Sequence, residues 1–259
     1  MSGMDLGLLG SFSITTIILG MAVCFAAGML VGLSGFGTGM LVTLFITPII
    51  GAKALIPVIS VLMLINNGSR AWFFRSAMDI RLIAKVAGAA VPMAFLGALL
   101  YVRLDSGTVQ AVLGAVLVAS VPLRRWVARK EMTPGPAGVV AVGGLYGFLS
   151  SIIVGAGMLV IPMLLGLGLA GPTLLATDAT IAVLVNLSKV IFFGKLDALS
   201  LDLFFLALLM GLCTIPGTGC AAWLVRRTRV HLHTMLIEGL ILLGGGGMVV
   251  GAVWRSLSG

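Results

Sequence analysis

The chain is a succession of long apolar blocks separated by short polar breaks. No charged residue falls in the 47 positions between Asp5 and Lys53, nor in the 46 between Glu131 and Asp178. A helical span needs about 20 mostly apolar residues, so each gap holds two membrane segments in succession. Further apolar stretches cover 54–69, 86–102, 106–123, 203–225 and 239–254. The pattern predicts a polytopic helical membrane protein with no room for a separate soluble domain. No Lys or Arg precedes the first apolar run, so the N-terminus is not expected to be a cleaved signal peptide.

The blocks repeat. Residues 35–41 read GFGTGML and residues 153–159 read IVGAGML, so a Gly-x-Gly-Met-Leu core recurs at an offset of 118. Downstream, Asn66 matches Asn186 at 120, Phe73 and Phe74 match Phe192 and Phe193, and Arg103 matches Arg226 at 123. Five segments per half follow: 12–33, 38–50, 54–74, 81–102 and 107–127, then 136–153, 157–170, 173–193, 201–225 and 232–254. Between the halves runs RRWVARKEMTPGPAG (124–138), basic and then rich in Pro and Gly, as a loop should be. The second segment of each half is only about 13 residues, a rise of about 20 Å against a hydrocarbon core of about 30 Å. The first two segments of each half are therefore expected to form a broken or re-entrant pair around an internal cavity, because irregular backbone is tolerated at that depth only where protein or water satisfies it.

Charge sets the orientation. Of the 16 Lys and Arg residues, 11 fall in the 70–85 loop, the 124–130 linker and the 226–229 turn. The positive-inside rule places these three in the cytoplasm. The loop after the third segment of the first half is then inside, and its counterpart near 194–200 is outside. The expected architecture is all-α with two inverted repeats, 1–127 and 136–259, joined by a cytoplasmic linker (128–135), with both termini outside. Inverted repeats with paired broken helices characterise secondary transporters, whose substrate site lies between the repeats. Overall, 9% of residues are charged and 60% are apolar, with a net charge of +8. That excludes a disordered chain, a disulfide-stapled secreted domain and an ordinary soluble enzyme. Nucleic acid is not an expected partner, because the basic residues are scattered rather than clustered with aromatics.

The chemistry follows from the breaks. A helix starting inside the membrane exposes unpaired N–H groups and the positive end of its dipole, and glycines let an anion approach them. The expected substrate-binding residues are Ser34, Gly35, Gly37, Thr38 and Gly39 in the first half and Ser150, Ser151, Gly155 and Gly157 in the second. Asn66 and Asn186 are in-span amides able to orient an anion without adding charge. Arg70 and Lys189 are read as anion-attracting groups or snorkelling ends, and Asp178 as a carrier of a coupling proton or a salt-bridge partner. Gly32, Gly143 and the Gly244–Gly247 run are read as helix-packing positions. Glu238 is expected to answer the Arg226–Arg229 cluster, and His231 and His233 to be loop residues. Cys24, Cys213 and Cys220 lie in apolar segments without a C-x-x-C spacing and read as packing residues, so no metal or cofactor is expected.

The stretches GMLVGLSGFGTGML (28–41) and YGFLSSIIVGAGMLVIPML (146–164), with Pro162 just past the glycines, together with FFGKLD (192–197), resemble the TauE/SafE sulfite-exporter family. The resemblance covers nearly the whole chain, although the first-half proline comes later, at Pro48. It implies export of sulfite, an organosulfonate or a related small anion across the bacterial cytoplasmic membrane. No Walker-type phosphate-binding run is present, so an ion gradient, by default protons, would supply the energy. An anion channel could use the same half-helix pairs. A membrane enzyme would need a nucleophile or metal cluster that the scattered candidates do not form.

Overall fold

The computed structural model describes residues 12–31, 37–127, 133–225, 239, 241–251 and 254. Nine α-helices carry these residues, with a further helical stretch at Ile241–Gly251. In chain order they are α1 (Ile14–Val31), α2 (Gly37–Ile50), α3 (Ala52–Phe73), α4 (Ile80–Arg103), α5 (Ser106–Val127), α6 (Pro136–Ser150), α7 (Val160–Gly166), α8 (Gly171–Lys195) and α9 (Leu201–Val225). No strand occurs among the described residues. Among the described residues, four helices, 52–73, 80–103, 106–123 and 171–195, are long and apolar enough by themselves to cross a membrane. Large apolar side chains face outward along the molecule, among them Ile18, Leu19, Phe73, Leu243 and Trp254. With no aqueous reason to be there, that surface is the lipid face of a multi-pass membrane protein.

Local chemistry sets the helix ends. Asp79 caps α4, its carboxylate accepting from Leu82 N at 3.0 Å. Pro172 sits in the first turn of α8, where its missing N–H costs nothing. The expected helix over 157–170 is shorter: a 3₁₀ turn over Ala156–Leu159 leads into α7, which stops at Gly166. The cause is Gly168, at φ 86°, which allows Leu169 N to bond back to Leu164 O and close the helix. Likewise the segment expected over 136–153 ends as α6 at Ser150, before the left-handed Gly155 at φ 90°. The residues expected to begin the tenth segment, from 232, lie outside the described residues up to 238, as do His231, His233 and Glu238.

Helix pairs approach closely through glycine, among them α4 with α6 and α1 with α9. Along α4 and α6, Gly143 faces the backbone of Val86, Gly147 that of Ala90, and Ser151 Oγ donates to Ala94 O at 2.8 Å. The register rises together on both helices, so they run parallel. Along α1 and α9, Gly20 abuts Met210 and Gly217 abuts the Phe25 carbonyl, again in rising register. Gly97 of α4 meets the Phe148 carbonyl of α6 in the same way. The third extensive pairing joins α3 to α8. Here Arg70, at the end of α3, meets Asp178, near the start of α8. Lys53 and Ala54, at the start of α3, share a recess with Leu196–Ala198 past the end of α8. These two helices are antiparallel. α4 runs parallel to α8, since Asp79 N donates to Thr177 Oγ1 at one end and Tyr101 shares the Leu196–Ala198 recess at the other.

Those directions place Met78 and Ala198 at opposite ends of the bundle. Cysteines introduced singly at 78 and 198, in a chain lacking its native cysteines, are expected to react with a membrane-impermeant maleimide from opposite sides. Labelling of both from one side would contradict the arrangement.

Candidate functional site

The second-half break is the best-defined irregularity in the structure. α6 is 15 residues long, about 22 Å, and its end lies beside Ala94, in the middle of α4. It therefore stops within the apolar layer, where its last carbonyls need donors. Ser150 Oγ donates to Gly147 O, Ser151 N to Phe148 O, and Ile152 N and Ile153 N to Leu149 O. The Ser150 carbonyl is left, and Lys189 Nζ of α8 donates to it at 2.8 Å. Lys189 is 4% exposed, and no carboxylate lies within ion-pair distance of it among the described residues. An ammonium has three N–H donors and this carbonyl takes one of them.

A cavity of about 90 Å³ opens at the break, enough for a small oxyanion. Gly39 of α2, Asn67 of α3, Ser150 of α6, Gly155 and Gly157 of the turn, and Asp178, Asn186 and Lys189 of α8 all line it. Ile56, Ile59 and Met63 give it an apolar wall on the α3 side. The N–H groups of Ala156 and Gly157 find no acceptor among the described residues, and both residues line the cavity. One cation, two in-span amides and backbone donors without an acceptor among the described residues converge there, with the Asp178 carboxylate drawn to Arg70 at one end, a composition suited to an anion. A second recess, beside Lys53, Tyr101 and Asp197, is wider at about 310 Å³, but its two charged residues are exposed. It offers a bound anion no comparable dry setting.

The sequence-expected residues divide as follows. Gly39, Ser150, Gly155, Gly157, Asp178, Asn186 and Lys189 come together at the cavity. Ser34 and Gly35 lie outside the described residues; Gly37 and Thr38 fall in the first turn of α2, the side chain of Thr38 being outside them. Ser151 is fully buried, and its hydroxyl ties α6 to α4 at Ala94 O rather than facing the cavity. Asn66 is buried without lining the cavity, and its neighbour Asn67 lines it instead. Arg70 does not line the cavity but pairs with Asp178, which does, at 3.5 Å.

The replacement of Asn66 by Asn67 is a shift of register by one residue. An offset of 119 relates Asn67 to Asn186, Arg70 to Lys189 and Phe73 and Phe74 to Phe192 and Phe193. The hydrogen bonds agree with it: Asn67 Nδ2 donates to Met63 O at 2.9 Å and Asn186 Nδ2 to Ala182 O at 2.8 Å, each four residues back. The aromatic pair carried that signal in the sequence. Tyr146, Ile56, Ile59 and Met63 had no comparable signal, since tyrosine and aliphatic residues are ordinary in a span.

A family model for the sulfite exporter TauE/SafE matches residues 20–248. The chain belongs to the TauE/SafE sulfite-exporter family. No curated protein and no solved structure gives a match. Membership in TauE/SafE implies a membrane transporter of sulfur-containing anions, with a small anionic substrate and a lipid bilayer as partners. The match spans both glycine breaks and every residue of the cavity.

Two glycines of this TauE/SafE protein separate packing from binding. A Cβ at Gly147 would run into the Ala90 carbonyl, whereas one at Gly157 meets nothing within 4 Å and projects into open space. Gly147→Ala is expected to lower stability by about 1–3 kcal/mol. Gly157→Ala is expected to leave the thermal unfolding of the solubilised protein unchanged while lowering anion flux. The opposite ranking in paired melting and flux assays would contradict this placement of the site.

Proposed function

We propose that this protein is a secondary transporter that exports a small sulfur-containing or organic oxyanion, such as sulfite or an organosulfonate, from the bacterial cytoplasm. The anion binds in the cavity between α3 and α8, on Lys189, Asn186, Ser150 and the Ala156–Gly157 amides, with Gly39 on the facing side. The observation that carries this is Lys189: a buried cation, with no carboxylate beside it among the described residues, facing a cavity lined by further donors. A buried charge without a counterion is expensive, and a transported anion offsets that cost while it is bound.

Alternating access between two inverted repeats, 1–127 and 136–259 around the cytoplasmic linker 128–135, is the proposed mechanism. It draws support from the helix pairings. Exchanging α1 with α6, α3 with α8, and α4 with α9 turns the α1–α9 pair into the α6–α4 pair and leaves α3–α8 unchanged. Gly97 on the Phe148 carbonyl and Gly217 on the Phe25 carbonyl join helix pairs that this exchange relates. The antiparallel run of α3 and α8 is what inversion requires of equivalent helices. The cytoplasmic side is then the Arg70 side, with both termini outside, and a proton gradient is the default energy source. In the second half, α6 and α7 leave and return to the side where α8 begins, which makes them a re-entrant pair.

The test is binding of an anion panel (sulfite, sulfoacetate, taurine, acetate and sulfate) to the purified protein by calorimetry. Lys189→Gln keeps a donor for the Ser150 carbonyl but removes the charge. A charge-assisted hydrogen bond contributes about 1.5–3 kcal/mol, so affinity is expected to fall about 10- to 100-fold, with recovery in Lys189→Arg. Binding unaffected by Lys189→Gln, or no binding by any panel member, would refute the proposed site.

A further inference from the structure

Most polar side chains that line the cavity already have a partner in the fold. Asn67 donates from Nδ2 to Met63 O and accepts from Arg70 at Oδ1, and Asn186 Nδ2 donates to Ala182 O. The Ser150 hydroxyl donates to Gly147 O, Asp178 pairs with Arg70, and Lys189 donates to Ser150 O. Tyr146 is the exception. It lines the cavity and is 6% exposed, yet its hydroxyl has no hydrogen-bond partner among the described residues. No fully enclosed side-chain oxygen or nitrogen lacks a partner among those residues, so this hydroxyl opens onto the cavity itself.

The ring is held in place. Tyr146 precedes Ser150 by four residues on α6, about one turn, so the two share a face of that helix. Gly143 and Gly147 occupy the face turned to α4. Around the ring is an apolar core that includes Val86 of α4, Val160 of α7, and Ile181 and Val185 of α8. That core accounts for the ring but not for its oxygen, since a phenylalanine would fill it equally well. A buried tyrosine hydroxyl ordinarily finds a partner, and leaving one unpaired away from water is costly.

We infer that Tyr146 is a substrate-binding residue, its hydroxyl donating to one oxygen of an anion whose other oxygens face Lys189 and the Ala156–Gly157 amides. This rests on the anion reading of the cavity given above. Sulfite and sulfonates carry three oxygens pointing apart, so donors on different elements can each take one: Tyr146 from α6, Lys189 from α8 and the amides from the turn between α6 and α7. A phenol donates without bringing a charge, so it strengthens the grip on the anion and needs no counterion once the anion has left. Held this way, the oxygens turn toward α6 and α8. A carbon substituent on the sulfur then turns toward Ile56, Ile59 and Met63 of α3, which suits an organosulfonate with a short apolar group.

The experiment is calorimetric titration of sulfite into the full chain in nanodiscs, with melting temperatures measured in parallel. Tyr146→Phe keeps the ring and removes the donor. Sulfite affinity is expected to fall about 10- to 100-fold, the range for a hydrogen bond to a charged group. Without sulfite, the melting temperature of Tyr146→Phe is expected to be no lower than that of the unaltered protein, because no fold contact is lost; the rise produced by sulfite is expected to shrink. Unchanged sulfite affinity in Tyr146→Phe, where Lys189→Gln weakens it, would overturn the role of Tyr146 and leave the Lys189 site standing. So would a lower melting temperature without sulfite, or failure to fold, since the hydroxyl would then serve the packing of α6. No sulfite binding by the unaltered protein would overturn the reading of the cavity as a sulfite site, and this role for Tyr146 with it.

Discussion

A helix that stops inside the hydrocarbon layer must find donors for its last carbonyls, and the end of α6 shows how this chain meets that demand. Local groups serve three of the four: the Ser150 hydroxyl, the Ser151 amide and the amides of Ile152 and Ile153. The fourth, at Ser150, is served by Lys189 from α8. An unmet backbone carbonyl costs several kcal/mol in lipid. One contact therefore ties the end of α6 to a long spanning helix. It also holds an ammonium at a depth where ammonium groups are rarely found.

The rest of the site is arranged around that contact. α8 is held against α3 by the Arg70–Asp178 pair and against α4 by the Asp79–Thr177 bond, so the position of Lys189 along the membrane normal is fixed from two sides. Glycines draw α4 onto α6, leaving no space for a side chain at Gly143 or Gly147, while Gly157 at the break is left with open space. Gly143 and Gly147 therefore differ from Gly157 in what stands opposite them: a backbone carbonyl in the first two, the cavity in the third. The left-handed backbone at Gly155 makes the turn between them.

Much of this was legible in the sequence because apolar block length and glycine position are strong signals in a membrane protein. The second charge-free gap marked the break after α6, and the Gly-x-Gly-Met-Leu repeat located Gly39, Gly155 and Gly157 at the cavity, while the break expected in the first gap lies outside the described residues. Helix ends shifted where a single glycine decided them, as at Gly168. Adjacent asparagines leave the repeat register ambiguous by one residue, and Asn67 rather than Asn66 lines the cavity. On a helix one residue is a rotation of about 100°, enough to turn a side chain from the cavity into a neighbouring helix. The pairing of Arg70 with Asp178 could not be read from spacing, since it joins residues 108 positions apart whose meeting depends on how α3 crosses α8. Ser151 is the opposite case: its place beside a break suggests binding, while its hydroxyl donates to the α4 backbone.

An anion held between the halves at the end of α6 is the central claim, and a heavier analogue of sulfite makes it visible. A structure determined with selenite at saturating concentration should show the selenium as an anomalous peak among Gly157, Asn186 and Lys189. A peak confined to the exposed recess by Lys53 and Asp197, or no peak inside the bundle at saturation, would contradict it.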